Sequence, residues 1–297
     1  MIWGIGEWCA LACALCWAIA VILLKRSGES LAPFALNYIK NLLCLLALAL
    51  TLGVTHGGRW PGMPAGDVLL ALFSGTLGIG LADTLYFRAL NSIGAARMGV
   101  AGTAFSPSVI LLAAIFLGER LTLWQLVGVG ITIAGIALVT YVKTADHLDA
   151  RTLRRGALLG VTSVAVMAAG VVIAKPILET QDFLWVVFLR LLGGTAVMSF
   201  ALLSATRRAA LWQAYRGVRH WPYVIAGSLM GTYVSNLFWL AGYKYADASI
   251  AAVLNELSAI FIVLLAAWLL HDRLQRRQLV GCGLAVLGVV VVVVARA

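Results

Sequence analysis

Charge is scarce in this chain. Only 11% of its 297 residues are Asp, Glu, Lys or Arg, and 62% are hydrophobic, whereas soluble domains carry about 25% charged residues. That balance excludes a water-soluble globular fold. Long polar connections are missing as well. The longest, residues 143–155 and 205–220, are too short to fold as a domain, so the chemistry has to lie in the apolar part. Cysteine is absent from the connections: Cys9, Cys13, Cys16, Cys44 and Cys282 all fall in apolar runs, and an odd number so placed gives no disulfide framework. Cys9, Cys13 and Cys16 share one helix face, where small packing residues are expected rather than a metal or redox site. His56, His147, His220 and His271 lie in connections or at run ends, no HExxH or GxSxG pattern occurs, and no acids cluster. These absences argue against a membrane-embedded enzyme, and no metal or other cofactor is expected. The net charge of +10 is scattered over short connections, which fits orientation in a membrane rather than nucleic-acid binding.

What is present is a succession of apolar runs long enough to cross about 30 Å of hydrocarbon. Ten spans are expected: 7–24, 33–52, 67–89, 95–117, 123–142, 156–174, 183–204, 221–243, 248–270 and 278–295. The expected fold is an all-α integral membrane protein. The first span has no basic residue before it and begins with Glu7, unlike a cleavable signal peptide.

The chain also repeats itself. "VILLAAIFLGERL", residues 109–121, returns as "IVLLAAWLLHDRL", residues 262–274, with seven of thirteen positions identical and an offset of 153. The same offset aligns Gln125-Leu126-Val127-Gly128 with Gln278-Leu279-Val280-Gly281, Gly135 with Gly288, and Asp83 with Asn236. Earlier in each half the offset is 150, aligning Gly6 with Gly156, Lys25 with Lys175 and Lys40 with Arg190. Two five-helix units follow, 1–145 and 146–297. Because five is odd, the second unit enters the membrane from the opposite side. Inverted repeats of this kind place a substrate site near the midplane, exposed alternately to each side. The "GER" and "HDR" turns read as short connections whose acids and arginines cap helix ends and meet headgroups on opposite faces of the bilayer, with a role in gating the alternative.

Ten spans in two units, Trp17 in the first helix, Pro107 in the fourth, "LGERLTLWQLVG" at 117–128 and "GITIAG" at 130–135 resemble the EamA-like family of the drug/metabolite transporter superfamily. The resemblance covers nearly the whole chain. It implies a secondary transporter, often an exporter of amino acids, other metabolites or toxic compounds, with no nucleotide-binding domain. The second half departs from the pattern: "HDR" stands for glycine-acid-arginine, Ile260 occupies the place of Pro107, and Asn255-Glu256 that of Gly102-Thr103.

Let side A be the side reached after the first span. Thirteen basic residues in connections lie near side A, against five near side B. The positive-inside rule then puts side A in the cytoplasm and both termini outside. The family resemblance implies the reverse.

Charges within spans are functional-site candidates by default, since each costs about 2.5 to 3.5 kcal/mol at the bilayer centre on insertion scales. Four stand out, Lys40, Asp83, Arg190 and Glu256, with Asn37, Asn41, Asn236 and Asn255 on the same helices. At a rise of about 1.5 Å per residue, Lys40 and Asp83 lie roughly 10 Å in from side A, and Arg190 and Glu256 roughly 10 to 12 Å in from side B. Each couple is at the right depth to pair. As structural ion pairs they would lock helices together. As a functional site, Lys40 and Arg190 would hold a substrate carboxylate or phosphate, with Glu256 or Asp83 exchanging a proton. Asn236, Asn255, Trp17, Tyr86 and Trp239 complete the expected binding set, and Tyr38 and Tyr233 are further aromatic candidates. Trp3, Trp60, Trp124, Trp185 and Trp221 read as interfacial belt residues.

The expected function is secondary transport of a small polar or amphipathic metabolite, an amino acid or related compound. Export by alternating access with proton coupling is the leading reading. An uncoupled facilitator, or a sensor or enzyme derived from a transporter fold, is the alternative. The expected partners are the small-molecule substrate and the lipid bilayer, with the protein a monomer or weak homodimer in a bacterial inner membrane.

Overall fold

In hydrocarbon a backbone N–H or C=O finds no water, so apolar runs of this length fold as helices that satisfy those groups internally. The structure is a computed structural model that describes residues 4–26, 31–140, 149–269 and 276–295. Ten helices among them are long and apolar enough to cross a membrane: α1 (Ile5–Leu24), α2 (Phe34–His56), α3 (Ala65–Gly94), α4 (Arg97–Phe116), α5 (Leu123–Thr140), α6 (Ala150–Thr180), α7 (Phe183–Phe200), α8 (Trp221–Tyr245), α9 (Ala248–Leu269) and α10 (Arg276–Val294). The chain is an all-α, multi-pass integral membrane protein. The Asp272-Arg273 turn, Lys143, His147, His271 and Trp3 lie outside the described residues.

Two connections differ from the sequence expectation. α6 begins at Ala150 instead of 156, because Asp149 caps it by accepting from the Thr152 amide at 3.0 Å. Those hydrogen bonds hold the exposed Asp149 carboxyl below its usual range. The extra turns carry Arg151, Arg154 and Arg155 out of the apolar stretch. Residues 205–220, expected as a connection too short to fold as a domain, contain the helix Ala205–Arg216. Its Tyr215 hydroxyl donates to the Ala35 carbonyl at 2.8 Å, tying the connection to the start of α2.

The repeat is visible in the backbone. α3 contains a six-residue π-helical segment, Thr76–Leu81, and α8 contains another, Leu229–Val234, 153 residues on. The helices Phe105–Phe116 and Ser258–Leu269 have the same offset. Both α4 and α9 are interrupted within the bundle. α4 breaks at Thr103-Ala104, and α9 at Glu256-Leu257 between Ala248–Asn255 and Ser258–Leu269.

The crossing of α5 and α10 shows the inversion. A Cβ on Gly128 would meet the Gly288 carbonyl oxygen at 2.7 Å, and one on Gly281 would meet the Gly135 oxygen at 2.7 Å. Gly128 is the counterpart of Gly281 and Gly135 that of Gly288, so the contacts exchange into one another while the two helices run antiparallel. A pseudo-two-fold axis passes between them. Around this crossing the halves interlock. α1 packs on α8 and α9, while α6 packs on α3 and α4, and α7 on α3. Each side of the molecule is therefore built from both halves.

The glycines at the crossing permit backbone contact between helices, which is how packing compensates for the lack of a hydrophobic drive in lipid. Gly135→Ala and Gly288→Ala are each expected to destabilise the protein by about 1 to 3 kcal/mol through overpacking. Gly130→Ala, where an added Cβ meets nothing within 4 Å, is expected to be neutral or stabilising by about 0.5 to 1 kcal/mol. Heat denaturation in detergent, read by the fraction eluting as a monodisperse species, checks the contrast.

Candidate functional site

A helix that breaks inside a membrane frees backbone groups, and such breaks persist where they are buried in protein or line a cavity. The breaks in α4 and α9 both line a cavity of about 520 Å³. Its walls differ in chemistry. From α1, α2, α8 and α9 come Trp17, Asn37, Lys40, Asn41, Asn236, Trp239, Asn255 and Glu256. From α3, α4, α6 and α7 come Gly78, Ile79, Phe105, Met167 and Leu191, with Asp83 and Arg190 as the two charges. Thr140, at the side A end of α5, also lines it, so the cavity reaches from the breaks toward side A.

Arg190 is 2% exposed. Its Nη1 donates to the Ser74 hydroxyl and, at 2.7 Å, to the Gly170 carbonyl. Ser74 itself donates to the same carbonyl at 2.7 Å. Glycine makes this possible, because a side chain on Gly75 would collide with the Arg190 carbonyl. Both partners of the guanidinium are neutral, and among the described residues no carboxylate pairs with it. The expected Arg190–Glu256 pair is therefore not formed. Glu256 instead accepts from the Ser106 hydroxyl at 2.9 Å. Similar depth in the membrane did not make the two side chains neighbours: α7 packs on α3, while the α9 break faces the α4 break across the cavity.

Lys40 and Asp83 are closer to expectation but are not in direct contact. Each feels the other's charge, yet the Asp83 carboxylate takes its hydrogen bond from the Asn37 amide. The Lys40 ammonium lies over the Trp17 ring, 5.3 Å from its centroid. Such a cation–π contact contributes about 0.5 to 2 kcal/mol depending on desolvation. Asn255 donates to the Ala251 carbonyl at 2.8 Å, leaving its buried Oδ1 without a partner. The Thr232 hydroxyl, also in the lining, is likewise unpartnered.

Of the nine site residues expected from sequence, eight line the cavity: Trp17, Lys40, Asp83, Arg190, Asn236, Trp239, Asn255 and Glu256. Tyr86 does not. It packs with Leu90, Ala101 and Phe105 against Ala89, Met98 and Val164, one turn beyond Asp83, where α4 and α6 cover the helix. Tyr38 and Tyr233 are struts between helices, bonded to Ser199 at 3.1 Å and Thr51 at 2.6 Å. Sequence reasoning missed Ser74 and Ser106. Each is a small hydroxyl residue whose partner lies in the other half, and no local pattern signals that.

A family model described as "EamA-like transporter family" matches residues 4–141 and again 154–294. Over 206 residues the chain is 25% identical to the UDP-N-acetylglucosamine transporter of Rattus norvegicus, a match covering 65% of this chain. It spans about 60% of the length of that curated relative. A solved crystal structure at 17% identity superposes with a TM-score of 0.79, covering 98% of this chain and 97% of the other; that likeness is one of fold.

Removing the Asn37 donor leaves the Asp83 carboxylate without its hydrogen bond. Asn37→Leu is expected to cost about 1 to 3 kcal/mol of stability. Combining it with Asp83→Asn should recover part of that loss, and a double-mutant cycle on thermal unfolding measures the coupling.

Proposed function

The chain belongs to the EamA-like transporter family, and from that premise we propose that it carries a small amphipathic anion by alternating access. It is a transporter of small solutes and not an enzyme. One observation carries the finer reading: Arg190, 2% exposed and, among the described residues, bonded only to neutral groups, is in the wall of the cavity. A buried cation without an acidic partner is costly. A carboxylate or phosphate of the substrate offsets that cost, and the planar guanidinium suits either anion. Lys40 is the second basic group. The apolar wall of Ile79, Phe105, Met167 and Leu191 takes the rest of the molecule, with Trp17 and Trp239 stacking on it and Asn236 and Asn255 orienting its polar atoms.

Glu256 is the proton-exchanging group in this reading, with Asp83 the second. Glu256 stands at a helix break, accepts from the neutral Ser106 and replaces a threonine of the other half, so the repeat alone does not account for it. The substrate class is an amino acid or related compound. A second reading, a nucleotide sugar held by its phosphates, is favoured by the name of the rat relative. Loop charge puts side A in the cytoplasm, and we place the protein in a bacterial inner membrane as an exporter. The cavity would then load from the cytoplasm in the state described.

Uptake into proteoliposomes of amino acids, aliphatic and aromatic organic anions and nucleotide sugars, with and without an imposed pH gradient, tests both readings. Arg190→Gln is expected to weaken anion binding roughly 10- to 100-fold, the equivalent of losing charge-assisted hydrogen bonds. Glu256→Gln is expected to keep binding but lose gradient-driven accumulation. Wild-type flux indifferent to the gradient would leave a facilitator, and flux of cations only would defeat the assignment of Arg190.

A further inference from the structure

On side B the connection between α8 and α9 is gripped by three other elements. Lys175 of α6, 8% exposed, donates from Nζ to the carbonyls of Tyr243 and Ala246 at 2.7 Å each. Glu119, in the turn between α4 and α5, accepts from the Ala248 amide at 2.7 Å, the Ser249 amide at 3.0 Å and the Ser249 hydroxyl at 2.7 Å. At the start of α1, Gly6 lies so close that an added Cβ would meet the Ala246 nitrogen at 2.5 Å. A cation on the carbonyl end of one helix and a carboxylate on the amide end of the next bond the groups that helix ends leave free, and both complement the helix dipoles.

Glu119 thus caps a helix from the opposite half of the chain. The capped half-helix, Ala248–Asn255, is eight residues long, and Ala248 to Leu254 are all buried. It measures about 12 Å from end to end. At its far end are Asn255 and Glu256, in the cavity. The side B seal and the acid of the site therefore belong to one short rigid body.

Gly156, the repeat counterpart of Gly6, approaches the side chains of Ser92 and Ile93 rather than backbone, and the cavity lining extends to Thr140 on side A. The conformation is closed at side B.

We propose that Glu119 is a positioning residue of the transport cycle. Its three hydrogen bonds hold the half-helix Ala248–Asn255, and with it Glu256, while side B is closed, and their release opens side B. This gives the acid of the "GER" turn a role in gating between the halves, beyond capping at the headgroup level. The proposal rests on the alternating-access reading above, so its first test does not depend on any substrate.

Ala252 is fully buried one turn from Ser249. In Ala252→Cys, modification by a membrane-impermeant maleimide applied from side B is followed at that residue by mass spectrometry in proteoliposomes. Adding Glu119→Ala is expected to raise the modification rate about tenfold, and Glu119→Gln, which keeps one acceptor oxygen, by less. Arg120→Ala, exposed in the same turn, should leave it unchanged. In flux assays Glu119→Ala should lower the maximal rate more than it changes the half-saturating concentration, since Arg190 is untouched. If Glu119→Ala does not fold, Ser249→Ala, which removes only the hydroxyl bond, should raise the modification rate about two- to threefold. Unchanged side B modification in whichever variant folds overturns the proposal. Faster modification in a protein that moves no tested solute would keep the latch and defeat the transport reading instead.

Discussion

Lipid offers no hydrogen bond to a broken helix. That constraint organises this molecule, because α4 and α9 both break within the membrane, at Thr103-Ala104 and Glu256-Leu257, and the freed groups have to be covered by protein or face a cavity. The two breaks look across the cavity at each other, joined by the Ser106–Glu256 hydrogen bond. The far end of the α9 half-helix is held by Glu119. Close approach of the surrounding helices, through Gly75, Gly170 and Gly194 on one side and through Gly128, Gly135, Gly281 and Gly288 at the α5–α10 crossing, supplies the cover.

The scaffold is symmetric, but its chemistry is not. Lys40 and Arg190 occupy equivalent positions, yet Lys40 faces Trp17 within reach of Asp83, whereas Arg190 has only Ser74 and a backbone carbonyl. Thr103 and Glu256 are equivalent too, and only one is an acid. Under the proposed alternating access, symmetry of backbone would let either half open or close in turn. Under the proposed function, asymmetry of side chains would give a substrate one preferred orientation and would put Glu256, with Asp83 beside it, at the centre of the cycle. A stability role for these charges is weakened by their partners: an ion pair that locks helices would place the opposite charges in contact, and neither couple does so.

The span count, the repeat and its inversion were readable from sequence because each depends on composition, spacing and parity over long stretches. Eight of nine expected site residues line the cavity because charge and amide groups in an apolar span have few places to go. Pairing was harder to read. Depth along the membrane is computable from the helical rise, whereas the neighbour across the bundle depends on how the halves interlock, which moved Arg190 to α3 and Glu256 to α4. The α9 break carried little signal, since "LNELS" looks like continuous helix, whereas α4 breaks where Pro107, lacking an N–H, cannot bond the Thr103 carbonyl. Glu119 read as a cap at the headgroup level with no identifiable partner, because Ala248 and Ser249 are 129 and 130 residues away.

Under alternating access one cavity serves both faces of the membrane in turn. Ser258 lines it beside the α9 break, and Ser258→Cys is a conservative probe. Its reactivity toward a membrane-impermeant thiol reagent, applied separately from side A and from side B, is the most direct measurement. Alternating access predicts modification from both sides, faster from side A without substrate, with added substrate shifting the two rates in opposite directions. Modification from one side alone under every condition would contradict alternating access, and rates that rise or fall in parallel on both sides would indicate a continuous pore.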